Sequence, residues 1–125
     1  MSQPIRKFMT PMPHTVRVDI DADKARTMMT SYRCHHLPVL DGGRLVGVLS
    51  DKDLRTIANI KGAGETPVGD LMTDEPVVID GETDVFQAAM LMHQKKIGSV
   101  IISANAQHPW GIFTATDALA YLSKT

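Results

Sequence analysis

The sequence predicts a mixed α/β (α+β) fold of two repeats, each strand–helix–strand–strand–helix, packed as a pseudo-two-fold pair sharing one core. Three observations predict it. Met9-Thr10 returns 63 positions later as Met72-Thr73, and the same offset pairs Asp21 with Asp84, Ala25 with Ala88, Met29 with Met92 and Leu37 with Val100. The stretch Gly47-Val48-Leu49-Ser50-Asp51-Lys52-Asp53-Leu54 returns 64 positions later as Gly111-Ile112-Phe113-Thr114-Ala115-Thr116-Asp117-Ala118. A glycine-rich run, Lys61-Gly62-Ala63-Gly64-Glu65, separates the copies. A repeat that keeps register through apolar, turn and capping positions marks duplication. Two copies are too few for a solenoid, so two half-domains are expected: residues 1–60 with a short lead-in, a linker at 61–66, and residues 67–125.

Residues 1–8 read as that lead-in, with a short helical turn before Met9. Thr10-Pro11-Met12-Pro13 is extended, because each proline biases its predecessor away from helix. Thr15 to Ile20 alternates as a strand. Asp21 then caps a helix whose apolar face carries Ala22, Ala25, Met28, Met29 and Tyr32. His36 to Leu40 and Leu45 to Leu49 are strands joined at Asp41-Gly42-Gly43, a hairpin signal. Ser50 N-caps a helix from Asp51 to about Asn59, with Asp53 in its first turn and Leu54, Ile57 and Ala58 facing inward.

In the second copy Val68 to Met72 is a short helical turn and Val77 to Asp80 a strand. Asp84 to Lys95 is a helix with apolar residues almost all round, which is usually buried on more than one side and here predicts pairing with a second copy. Ser99 to Ser103 and Trp110 to Thr114 make a looser hairpin. Thr114 caps the closing helix, which carries Asp117, Tyr121 and Leu122.

Composition narrows the function classes. The chain of 125 residues is 43% hydrophobic, and a chain this long buries roughly two-thirds of its unfolded surface. Aromatics are only 5%, so aliphatic side chains and eight methionines must fill the core. A net charge of −1 lacks the basic excess that general nucleic-acid or anionic-membrane binding requires. One cysteine, Cys34, allows no internal disulfide. No apolar run approaches the ~20 residues of a membrane span, and the polar, proline-interrupted start shows no signal peptide. A soluble cytoplasmic protein is expected.

With this order of elements and motifs, the chain resembles the cystathionine-beta-synthase (CBS) domain family in its tandem form, the Bateman module, as a stand-alone CBS-domain protein. The resemblance rests on Met9-Thr10-x-x-Pro13, His36-Leu37-Pro38-Val39, Gly47 to Asp53, Met72-Thr73-x-x-Pro76, Ile97 to Ile102 and Gly111 to Asp117, and covers about residues 8–123. It implies an adenosine ligand in the cleft between repeats. The aspartate that ends the glycine-to-aspartate motif would accept the ribose hydroxyls, as suits an acceptor-only carboxylate.

Carried over by position, the resemblance assigns Ser50, Asp53, Val48, His35 and His36 to a first cleft, with Thr73, Pro76, Val78 and Ile97 opposite. It assigns Thr114, Asp117 and Ile112 to a second, with Thr10, Pro13, Thr15 and Cys34 opposite. Gly98 and Ser99 replace the two histidines there, which removes the cations a phosphate would meet. Asp53 and Asp117 also have a plain reading as near capping boxes. Cys34 beside His35 does not make a nucleophile pair, since neighbours on a strand diverge; the histidines have no zinc spacing, and no phosphate-loop fingerprint occurs.

The resulting expectation is a regulatory module, not an enzyme. It would sense AMP, ADP, ATP or another adenosyl compound, with or without Mg but with no resident cofactor, as a homodimer that signals to an effector chain the sequence does not name. The alternative is a constitutive interaction and dimerisation module with vestigial clefts.

Overall fold

The computed structural model describes residues 3–124. In chain order the elements are β1 (Thr10–Pro11), β2 (Val16–Arg17), α1 (Ala22–Tyr32), β3 (His36–Asp41), β4 (Arg44–Ser50), α2 (Asp51–Arg55), β5 (Thr73–Asp74), β6 (Val78–Ile79), α3 (Val85–Lys95), β7 (Ser99–Ile102), β8 (Gly111–Thr114) and α4 (Ala115–Leu122). Single 3₁₀ turns cover Ile5–Lys7, Ala63–Glu65 and Val68–Asp70.

The chain divides into two compact units. One runs from His14 to Pro76; the other joins the segment ending at Pro13 to everything from Val77 onward. Each unit therefore borrows the opening segment of the other repeat. In the first unit the sheet order is β2-β3-β4-β5, with β2 parallel to β3 and the remaining pairs antiparallel. The second repeats this as β6-β7-β8-β1.

The borrowed segments are held identically. Val68 N–H donates to the Ile20 carbonyl (2.8 Å) and Gly69 N–H to that of Val18 (2.9 Å); Ile5 and Arg6 do the same to Thr83 (2.8 Å) and Gly81 (3.0 Å). Gly47 and Gly111 are required by the strand that follows. A Cβ on Gly47 would lie 2.5 Å from Met72 Sδ and 2.7 Å from the Thr73 carbonyl, and Gly111 meets Met9 and Thr10 in the same way.

Each unit has its own core, in place of the single shared one expected. Val16, Ala22, Ala25, Met29, Leu37, Val39, Leu49, Leu54 and Val68 fill the first. Ile5, Val85, Ala88, Met92, Val100, Ile102 and Phe113 fill the second. Asp21 caps α1, as its sequence position predicts; Asp84, expected as the first helical residue, instead caps α3, which starts at Val85. Both helices end on a left-handed residue that is not glycine, Arg33 (φ 53°) and Lys96 (φ 55°), so the duplication extends to backbone conformation. Gly42 and Gly43, at φ 60° and 83°, close the β3–β4 hairpin as a tight turn with two left-handed residues.

Several local expectations change. Met12 is left-handed (φ 42°), in place of the extended Thr10–Pro13 stretch expected, and the Thr15–Ile20 strand narrows to Val16–Arg17. α2 stops at Arg55, four residues early. The Thr56 hydroxyl donates to the Asp53 carbonyl at 2.6 Å, satisfying that carbonyl outside the helical ladder. Ala58 is accordingly exposed, while Ile57 still packs on the core. Tyr32 does not enter the core; it is 46% exposed, with its ring stacked on His14 at 3.6 Å.

Candidate functional site

In the first unit β4 carries the chain from the sheet into α2, and the change of geometry needs a cap. Ser50 supplies it. Its Oγ accepts from the Asp53 N–H at 3.1 Å, while Asp53 Oδ2 accepts from the Ser50 N–H at 2.8 Å. The near capping box is thus a complete reciprocal one, with aspartate in the role usual for glutamate. Asp53 Oδ1 takes no hydrogen bond among the described residues. The carboxylate is fixed in orientation through one oxygen and keeps acceptor capacity on the other.

The second unit builds the same device at β8–α4. Asp117 Oδ2 accepts from the Thr114 N–H at 2.9 Å and from the Thr114 hydroxyl at 3.1 Å, and Thr114 Oγ1 accepts from the Asp117 N–H at 3.3 Å. The extra hydroxyl bond ties Thr114 to Asp117 more fully than Ser50 is tied to Asp53.

The remaining assigned residues divide by unit. Thr73 lies directly across from Val48 on the β5–β4 ladder, and His36 across from Ser50 on β3–β4. Val48, Ser50, Asp53, His35, His36, Thr73 and Pro76 therefore belong to one compact unit, as do Thr15 and Cys34. Thr10 faces Ile112 on the β1–β8 ladder, so Thr10, Pro13, Ile112, Thr114, Asp117, Val78 and Ile97 belong to the other. Val48 and Ile112 are buried yet lie outside both core clusters, consistent with the alternation that turns them from the helix-covered face of each sheet. Val78 is 51% exposed and Thr10 and Thr73 are exposed.

Asp51, which the sequence reading passed over, organises the charges beside Ser50. Its N–H donates to the His35 carbonyl at 2.9 Å, and its Oδ2 lies 3.2 Å from His35 Nδ1 and 2.9 Å from Arg55 Nη1. The i,i+4 spacing of Asp51 and Arg55 was the available signal. Burial, the largest single influence, pushes the Asp51 carboxyl up, but Arg55 and His35 together outweigh it and hold it below its ordinary value. In the second unit Ala115 donates to Gly98 at 3.0 Å, keeping the backbone bond without either side chain.

The lowered Asp51 value has a sign. A carboxyl whose folded value is depressed adds stability above its unfolded value, and that stability is lost as pH falls through the folded one. Asp51→Asn is therefore expected to be less stable than wild type at pH 7, with the difference shrinking below about pH 4. Urea midpoints measured from pH 7 to pH 2.5 check this; a pH-independent difference would assign the loss to something other than charge.

Beyond Asp51, on the side of α2 facing α1, an open cavity of about 490 Å³ is lined by Arg26, Arg33, Cys34, His35, Asp51 and Arg55 among others. It shares His35 and Asp51 with the Ser50 region but does not include Ser50 or Asp53. Burial pushes the Cys34 thiol up, against a smaller lowering by the His36 backbone, so it stays protonated at neutral pH. Among the described residues no helix is long and apolar enough to cross a membrane.

Comparison with known proteins agrees with this architecture. A CBS domain-containing protein of Dictyostelium discoideum is 26% identical over 132 residues, covering 96% of this chain and 91% of its own length. The crystal structure of CBSX2 from Arabidopsis thaliana in complex with AMP superposes with a TM-score of 0.78 at 30% identity, over 97% of this chain and 96% of that one. The inosine-5'-monophosphate dehydrogenase of Thermoplasma acidophilum is 26% identical over 85% of this chain, but the match spans only 21% of the dehydrogenase. The CBS domain family profile matches twice, at residues 5–59 and 68–124, and the chain belongs to the CBS domain family.

Proposed function

We propose that this protein is a regulatory ligand-binding module that takes an adenine nucleotide at the end of β4. Asp53 accepts the ribose hydroxyls there, and Ser50 and Thr73 lie beside it. The observation that carries the reading is the division of labour in Asp53: Oδ2 caps α2 at 2.8 Å, while Oδ1 remains an acceptor with a fixed direction. Arg55, held by Asp51, supplies a cation for a phosphate, and His35, on the same carboxylate, an imidazole beside it. The AMP complex of CBSX2, at 30% identity, supports the ligand class. Thr114, Asp117 and Thr10 offer an equivalent ribose site, but Gly98 and Ala115 take the places of His35 and Asp51. That site suits an adenosyl group of low charge.

The module works as a homodimer in the cytoplasm and signals to an effector chain. A ligand shifts the arrangement that the effector reads only by its difference in affinity for the two states. The test is a thermal-shift panel of AMP, ADP, ATP, S-adenosylmethionine, NAD and an adenine-containing cyclic dinucleotide. Ligand at about 100 times its dissociation constant is expected to stabilise the fold by about 2.7 kcal/mol. A flat panel, with titration calorimetry agreeing, would overturn the sensor and leave a constitutive interaction module.

A further inference from the structure

The cavity of about 490 Å³ between α1 and α2 is lined by three arginines. Arg26 comes from α1, Arg33 from the residue that caps it, and Arg55 from α2. Asp51 is the one carboxylate in the lining, and the buried side chains of Met29 and Leu54 give the wall its apolar part. Neither Ser50 nor Asp53 belongs to it.

The arginines keep donors to spare. Arg26 bonds Asp23 through Nη1 at 2.8 Å and Arg55 bonds Asp51 through Nη1 at 2.9 Å, which uses one of the five N–H groups on each guanidinium. The Arg33 side chain has no partner among the described residues. The carbonyls that end α1 would repel an anion, but they are already taken. Those of Thr30 and Met29 accept from the Arg33 and Cys34 N–H groups at 3.3 and 3.0 Å. The duplicated half has no such cluster: Ala89, Ala115 and Leu119 stand where Arg26, Asp51 and Arg55 stand here, and only Lys96 matches Arg33 in charge. The charges therefore belong to this cavity and not to the repeat as such.

We infer that the α1–α2 cavity binds the diphosphate group of a small anionic ligand. Guanidinium forks match phosphate oxygens in pairs, and three of them exceed what one carboxylate or one phosphate can neutralise. The group belongs either to the nucleotide held at Asp53 or to a separate organic phosphate. Only the first of these rests on the nucleotide site proposed above.

Titration calorimetry with inorganic pyrophosphate tests the inference, at constant ionic strength because exposed charges are screened by salt. Wild type is expected to bind one pyrophosphate per chain. Arg26→Gln and Arg33→Gln are each expected to weaken binding about tenfold or more, the loss of a charge-assisted bond. Arg17→Gln removes the same charge from an exposed arginine outside the cavity and is expected to change nothing. Cys34, the only cysteine, lines the cavity and reports occupancy directly. Pyrophosphate is expected to slow its alkylation by the uncharged reagent N-ethylmaleimide in wild type, and to lose that effect in Arg26→Gln and Arg33→Gln.

Absence of pyrophosphate binding, or binding without protection of Cys34, would overturn the site. Equal weakening in Arg17→Gln would show a response to overall charge and overturn it too. Displacement of pyrophosphate by ATP but not AMP would support the site and assign it to the outer phosphates of the nucleotide. Indifference to both would support it with a separate ligand. Displacement by AMP as well would reduce it to the single phosphate beside Arg55 and overturn the diphosphate. A protein that binds pyrophosphate but no nucleotide keeps this site and loses the nucleotide reading, so the two fail separately. Circular dichroism melts of each variant separate lost binding from lost fold.

Discussion

Ile5→Ala is expected to destabilise the protein by about 2–5 kcal/mol, the range for truncating a fully buried aliphatic side chain. Ile5 is 0% exposed and belongs to the cluster with Val85, Ala88, Met92, Val100, Ile102 and Phe113. Its neighbours in sequence leave it no freedom to withdraw. Gln3 N–H donates to Asp84 Oδ1 at 2.9 Å, Val85 N–H to the Gln3 carbonyl at 2.9 Å, and Ile5 N–H to the Thr83 carbonyl at 2.8 Å. The Gln3 bond is also the main cause that holds the Asp84 carboxyl below its ordinary value. The surrounding side chains therefore cannot collapse far into the space a truncation leaves. Lys7→Ala, two residues away and exposed, is expected to change stability by no more than about 0.5 kcal/mol. Urea unfolding followed by far-ultraviolet circular dichroism compares the two. Equal midpoints would show that the opening segment carries no part of the core.

That role for Ile5 was not legible in the sequence, and the reason is physical. The signals that were legible are local. Asp21, Ser50 and Thr114 announce helix starts because a cap bonds an amide three residues on. Gly42-Gly43 announces a turn because both positions need positive φ. The 63-residue offset then assembles these local signals into a family resemblance. Ile5 and Val68, by contrast, occupy equivalent places, and nothing near either says which repeat's sheet and helices will receive it. The answer depends on bonds such as Ile5 to Thr83, across most of the chain. The same nonlocal exchange sorts the site residues. Thr73 and Pro76, written in the second repeat, join the unit of Ser50 and Asp53, while Val78 and Ile97 stay with Thr114 and Asp117. Asp51 escaped notice for the same reason: its partner His35 lies 16 residues earlier, in the bend just before β3, so only the fold shows one carboxylate meeting both His35 and Arg55.

Asp53→Asn is expected to abolish the nucleotide-induced thermal shift while leaving the unliganded protein folded. The substitution keeps an oxygen that can accept from the Ser50 N–H, now 2.8 Å from Oδ2, so the cap of α2 survives. It replaces the other oxygen with a donor and removes the charge. Two charge-assisted bonds from ribose hydroxyls are then lost, at about 1.5–3 kcal/mol each. The weaker end of that range already lowers affinity more than 100-fold. A ligand present at about 100 times the wild-type dissociation constant then adds about 0.4 kcal/mol in place of about 2.7. Asp53→Ala removes the cap acceptor as well, so its unliganded protein is expected to be less stable by about 0.5–2 kcal/mol. The gap between the two variants measures the cap, and their common loss measures the ligand contact. Asp117→Asn is the matched comparison. Its Oδ2 takes both bonds from Thr114, and the site has no equivalents of His35 and Asp51 beside it, so a phosphate-bearing nucleotide should lose little of its shift. A shift that survives Asp53→Asn and disappears in Asp117→Asn would move the nucleotide to the second unit. A shift that survives both would remove the paired aspartates from the site altogether.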